Sequence, residues 1–196
     1  MNYRCRVLLV LLAALAVAAT PTGMAPLPAQ YLKGGTFYSP DGWFQIGFQA
    51  GRWEWFEMRS FDGKADPRWP DAVNQTVAWY VREAKGDNTF VVMERYSPNA
   101  PPLDDAFMQG IESDTRKGAS PGEILSNFSV ERIGVPTEGS VRFSYRVVKK
   151  SGETLYRFAY VTGGEHRVWL QTHAKTAQEP RSFTRVVVSM RWLKEP

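Results

Sequence analysis

The chain has almost no cysteine. Its single thiol, Cys5, stands among the first residues, so everything after the N-terminal segment lacks disulfides, thiolate metal sites and thiol nucleophiles. Histidine is nearly as scarce: His166 and His173 are the only two. They flank one strand-like stretch at an odd separation, which sends them to opposite faces of a regular strand. A metal shared between them would need a bulge or outside ligands. There is no phosphate-binding P-loop, and Gly118-Ala119-Ser120-Pro121-Gly122, which has the G-x-S-x-G spacing, stands between an expected helix and a following strand, the reverse of the strand-to-helix order of a nucleophile elbow. Charge of one sign is also lacking, with 24 basic against 20 acidic residues and a formal net charge of +4. Arg4 and Arg6 fall in the N-terminal segment, so a processed chain stands nearer +2. So small and dispersed an excess leaves no electrostatic footprint for nucleic acid. No internal repeat, low-complexity tract or linker divides the chain, so one domain is expected.

The most specific feature present is the start. Arg4 and Arg6 precede the apolar run Val7 to Ala19, which Thr20-Pro21-Thr22-Gly23 breaks. A basic start, a short apolar run and small residues after it form a secretory signal peptide. The run is short of the roughly 20 apolar residues of a spanning helix. We assign residues 1–29 to the leader and 30–196 to a single domain, with cleavage after Ala18, Ala19 or Ala29 left open and an uncleaved anchor drawing in Met24 to Ala29 as the alternative. Cys5 precedes the apolar run, so it is not placed to carry a lipid. The chain is therefore expected to be exported, to the periplasm or beyond.

Ser140 to Ala174 organises the rest. It reads as three strands joined by turns at Lys150-Ser151-Gly152 and Thr162-Gly163-Gly164, with apolar and polar residues alternating as on a two-faced sheet. Before it, Thr36 to Tyr38, Phe44 to Phe48 and Trp53 to Arg59 read as strands that extend this sheet or cover it. Ser60 to Gln75 lacks periodicity and holds two prolines, and we read it as a surface excursion pinned by Trp69. A hairpin follows, Thr76 to Ala84 with Thr89 to Tyr96. Asp104 and Asp105 open a helix whose stripe is Leu103, Phe107, Met108 and Ile111, and Gly118 ends it. A strand is expected around Asn127 to Val135. A closing helix after Glu179-Pro180 turns Phe183, Val186, Val187 and Met190 inward. The fold class is α+β: an antiparallel sheet with helices packed against it. High aromatic content, 13%, suits bulky cross-strand pairs in such a core.

Candidate chemistry is sparse. Asp62, Asp66 and Asp71 lack the D-x-D-x-D-G rhythm of a calcium loop, and Lys64 and Arg68 intervene. Asp104-Asp105 has a helix-capping explanation, and Glu112 and Asp114 do not share a helical face. The one suggestive pattern lies in the three central strands. Arg142 and Arg146 alternate on the first, Arg157 stands on the second, and Arg167, Trp169, Gln171 and His173 on the third. In register together they would make a basic face with an aromatic centre, the composition of a binding surface. The competing reading is a solvated face whose long arginine stems cover apolar surface.

The order of these elements resembles the PsbP-like family. FYSPDGWFQIGFQAGRW is similar to that family's opening, with an aromatic, a Pro-Asp-Gly turn, an alternating strand and a small residue shortly before tryptophan. The hairpin, the helix PPLDDAFMQGIESDTRKG, the central strands and the closing SFTRVVVSMRW continue in the family's order, from about Thr36 to Leu193. Gln49-Ala50 replace a common proline, and Met190 replaces a closing phenylalanine. The resemblance implies an α/β/α sandwich and a role in binding or assembly without catalysis. With the leader, it points to the bacterial envelope branch of DcrB type.

The expectation is therefore a non-enzymatic accessory protein, monomeric or weakly associating, without cofactor or metal. It would bind an envelope protein partner, with peripheral membrane contact compatible. The candidate contact residues are Arg146, Arg157, Arg167, Trp169, His173 and Trp69. Two alternatives are a carrier of a small amphiphile between sheet and helix, and a hydrolase using His166 or His173 with a neighbouring acid.

Overall fold

The computed structural model describes residues 25–49, 51–58, 75–85, 88–96 and 100–196. Most of the leader, the excursion with Trp69, and Asp62, Asp66 and Asp71 lie outside the described residues.

The expected three central strands pair consecutively: β9 (Ser140–Val148), β10 (Thr154–Gly163) and β11 (His166–Ala174). Arg157 stands opposite Tyr145 on one side and His173 on the other. The hairpin β6 (Gln75–Glu83) and β7 (Thr89–Tyr96) joins this unit through β7 against β11. With β5 (Trp53–Met58), β8 (Ile124–Ile133) and the short β1 (Ala25–Pro26), the described strands form an eight-stranded sheet in the order β1-β5-β6-β7-β11-β10-β9-β8. Every neighbouring pair in it is antiparallel.

The strands near residues 36–48 cover this sheet and do not extend it. β2 (Leu32–Lys33), β3 (Thr36–Tyr38), β4 (Phe44–Gly47) and the C-terminal β12 (Arg191–Trp192) make a separate four-stranded sheet in the order β12-β4-β3-β2. The reason lies in which side chains face inward. Phe37, Phe44 and Ile46 are fully buried and share one cluster with Trp53, Trp55 and Trp79 of the large sheet. These short strands gain more by laying an apolar face across the large sheet than by lengthening its edge.

Helix α1 (Asp105–Lys117) forms where expected, with the Asp104 carboxylate accepting the Phe107 backbone N–H at 2.9 Å. Phe107, Ile111 and Thr115 face the sheet at helical spacing. Arg116 and Lys117 occupy the last turn, where positive charge suits the dipole. Helix α2 (Arg181–Ser189) buries Phe183, Val186 and Val187, and Met190 follows them inward.

Two cores result, one on each face of the large sheet. Under α1 lie Val141, Phe143, Tyr145, Val161 and Trp169. On the opposite face, α2 and the small sheet together cover Trp55, Trp79, Phe158, Tyr160 and Leu170. The sandwich is therefore helix, large sheet, then a mixed layer of helix and small sheet. Leu27, between β1 and β2, is 7% exposed within the second core, and its N–H donates to the Trp55 carbonyl.

Candidate functional site

The register decides the fate of the expected basic face. Side chains directly opposite in a ladder share a face. Arg157 is opposite Tyr145 and His173, and Trp169 is opposite Val161, so Arg157, Arg167, Trp169, Gln171 and His173 all turn toward α1. Arg142 is opposite Tyr160 and Arg146 opposite Tyr156, which puts both on the other face. No single basic face forms.

Burial completes the correction. Arg157, Arg167 and Trp169 are 5%, 7% and 5% exposed, and they hold the fold from inside. The Trp169 ring lies 6.1 Å from those of Phe107 and Phe143. The Arg167 guanidinium covers the Phe107 ring and donates to the carbonyls of Pro101 and Gly164. Arg142 bridges Glu131 and Glu179, and Glu179 also accepts the Tyr160 hydroxyl. Burial, the Glu179 hydrogen bond and its charge raise the Tyr160 hydroxyl well above its usual range. Arg146 and His173 remain half-buried at their respective faces. Burial, then the neighbouring Arg157 and Lys149 charges, lower the His173 pKa.

His166 faces away from His173, as the odd spacing required, and finds a partner that sequence reading missed. Its Nε2 lies 2.6 Å from Glu94 Oε1, with both side chains under one-tenth exposed. Glu94 projects inward because it shares the phase of Phe90 and Val92 on β7, both members of the same core. That alternation, an acid on the apolar face of TFVVMERY, is the signal that was available.

Aromatic rings close the pair in. Trp43, from the turn before β4, stacks on the His166 ring at 3.9 Å between centroids and 24° between planes. Trp192 of β12 approaches it edge-on at 6.5 Å, and Tyr96 lies at 5.7 Å. Trp192 is itself seated on Gly163, where φ is 104° and an added Cβ would stand 2.8 Å from the indole. Only glycine allows both the backbone conformation and the approach. The Lys194 ammonium sits 5.0 Å from the Trp43 ring centre and donates to the Asp41 carbonyl. The site thus lies at the rim where the small sheet meets the large one.

Electrostatics there favour a shared single proton. Desolvation, then the Asp41 charge, push Glu94 up to about 8, against the opposing pull of Lys194. Desolvation also lowers His166. An ion pair would move both groups the other way, so burial outweighs mutual attraction, and the neutral arrangement has the Glu94 acid donating to Nε2. His166 Nδ1 then carries the ring proton, buried and without a hydrogen-bond partner among the described residues.

This geometry answers the two alternatives. A general base must reach the proton it abstracts, whereas His166 is covered by Trp43, Trp192 and Tyr96. The two histidines do not converge on a common acid. For an amphiphile carrier, the space between the sheets is occupied by rings in contact: Phe37 stacks on Trp55 at 4.4 Å and meets Trp79 edge-on at 5.0 Å. One cleft of roughly 360 Å³ opens elsewhere on the surface, lined by Leu103, Asp104, Arg132, Thr137, Glu138 and Pro196. It is wide and of mixed polarity, and Arg132 is already tied to Leu103 and Asp105. Among the described residues no helix is long and apolar enough to cross a membrane.

No family model matches the chain, and no curated protein matches it. Among solved structures it is similar to the cyanobacterial PsbP (CyanoP) from Synechocystis sp. PCC 6803, at 14% identity and a TM-score of 0.48, covering 90% of this chain and 98% of that one. At that score the similarity carries no argument of its own. The α+β assignment rests on the strand order and packing described above.

Proposed function

We propose that the chain is an exported, non-catalytic accessory domain of the bacterial envelope, of the DcrB-type branch, that binds a protein partner. The observation that supports binding over chemistry or transport is the coverage of both faces of the large sheet. Arg142, Arg167 and Glu94 on those faces are engaged internally, and the aromatic interiors are filled. What stays accessible is the long edge strand β8, with Ile124 65% exposed at its start, and the turn end of the central strands. We place the contact there, together with the half-buried Arg146 and His173 nearby.

Cleavage of the leader after Ala18 or Ala19 suits this reading better than cleavage after Ala29. The later cut would remove β1 and the buried Leu27.

The test is capture in intact cells by a tagged protein carrying a photo-crosslinking residue at position 124, with the mass of the mature chain read in the same experiment. The expected result is one discrete envelope partner crosslinked at 124 and a mature chain that begins upstream of Ala25. Uniform low-level labelling at 124 and at a control position on α1 would overturn the contact surface. A full-length, unexported chain would overturn export.

A further inference from the structure

The buried acid–histidine pair has a consequence that partner binding does not use. Glu94 and His166 sit beneath a cover made of two short pieces that are hydrogen-bonded to each other. Leu193 N–H donates to the Trp43 carbonyl at 2.8 Å, Trp192 pairs with Phe44, and Lys194 donates to Asp41. By contrast, among the described residues the rim shares no ladder with β7, β10 and β11; it meets them through aromatic rings, the Pro196 carbonyl beside Gly164, and a long 3.5 Å contact from Trp192 Nε1 to the Thr162 hydroxyl. Behind the rim, Phe44 and Met190 are fully buried and anchor the rest of the small sheet. The rim can therefore lift by parting the β12 edge of the small sheet and the Leu193–Trp43 hydrogen bond, without unfolding the large sheet.

We propose that Glu94 and His166 form a proton-held latch: with one proton between them the Trp43 turn and the C-terminal strand stay closed, and loss of that proton lifts this rim from the large sheet. A deprotonated Glu94 is a carboxylate beneath indole rings, and hydrating it requires the rings to move. The charged and titratable groups around it are few. Asp41 and Lys194 belong to the rim itself, Tyr96 lies beside Glu94 on β7, and Glu165 is exposed in the turn before β11. Arg167, next in sequence, points to the other face.

The direction with pH follows from proton counting. Open, the two groups titrate at their ordinary values, 4.5 for the acid and 6.5 for the imidazole. Closed, Glu94 keeps its proton up to about 8 and His166 stays neutral below its ordinary value. Just below 6.5, where closed His166 is neutral, each state holds one proton and opening does not depend on pH. From 6.5 to about 8 only the closed state holds one, and opening rises tenfold per pH unit, about thirtyfold in all. Above that both states are deprotonated and opening levels off.

Hydrogen exchange of the whole folded chain, corrected for the intrinsic pH dependence of exchange, measures this directly. Segments 41–43 and 191–196 should lose protection about thirtyfold between pH 6.5 and 8, while β9 and β10 do not change. Glu94→Gln presents an amide N–H to Nε2 at every pH and should abolish the rise. Two substitutions at exposed rim positions keep the test decisive if that variant folds poorly. Asp41→Asn should move the upper limit of the rise to lower pH, and Lys194→Met should move it higher. A rise that spreads equally to β9 and β10, a Glu94→Gln protein that follows wild type, or rim variants that both leave the limit in place would each overturn the latch.

Discussion

On the α1 face of the large sheet, His173 stands half-buried beside the Arg157 guanidinium; on the opposite face, His166 is sealed against Glu94 beneath three aromatic rings. Both histidines come from β11, and burial lowers both. Their neighbours make the difference. His173 meets the positive charges of Arg157 and Lys149, which disfavour its protonated form. His166 meets an acid whose own proton is held by burial, so the pair titrates as a unit. The cover explains why each arrangement survives. A helix lays long side chains over its face and leaves stems and charges a route to solvent. The small sheet lays flat rings over its face and closes that route.

The largest effect that sharpens this contrast is on the helix side. Trp169→Ala should lower unfolding free energy by about 3–5 kcal/mol, the range for truncating a large buried aromatic. Denaturant titration measures it. A variant of unchanged stability would return Trp169 to the surface role expected from sequence and make the α1 face a docking surface. The large loss expected instead follows from its packing against Phe107 and Phe143.

On the other face the matching change falls at the end of β10, where the rim is seated. Gly163→Ala puts a side chain at φ 104°, against the His166 carbonyl and the Trp192 ring. The strained backbone alone costs about 1–3 kcal/mol. Thermal melting should show that loss, and Trp192 fluorescence should shift red as the indole is displaced toward water. A red shift without loss of stability would mean that the rim is already loosely held, and the contrast between the two covers would fail.

How much of this was legible in the sequence varied with the periodicity of each stretch. The central strands alternate without interruption, so their pairing and even the opposed histidines could be read. The basic face could not, because phase within one strand does not fix phase across a turn. Arg142 and Arg146 alternate correctly and still face away from Arg157 once the ladder sets Arg157 opposite Tyr145. β8 shows another limit. Leu125, Phe128 and Val130 all pack toward the same core, a spacing no regular strand allows. The ladder carries a bulge between Ser126 and Ser129, with Asn127 at φ 55°, which resets the phase. That bulge is why the strand begins earlier than its apparent alternation suggested. Glu94 was visible as an acid in an inward position, but its partner lies far along the chain on β11 and no local pattern connects them.

The smallest effect separates the two covers most cleanly. Asp104 caps α1 through the Phe107 N–H, and its hydrogen bonds among the described residues stay within that helix. Asp104→Ala should cost about 1 kcal/mol, the usual value of such a cap. The loss should appear as earlier exchange in 105–117 while the pH profile of segments 41–43 and 191–196 keeps its wild-type shape. If weakening the α1 cap also flattened that profile, the two faces would be energetically coupled through the sheet between them. The pair at Glu94 and His166 would then be reading the stability of the whole domain instead of its own rim.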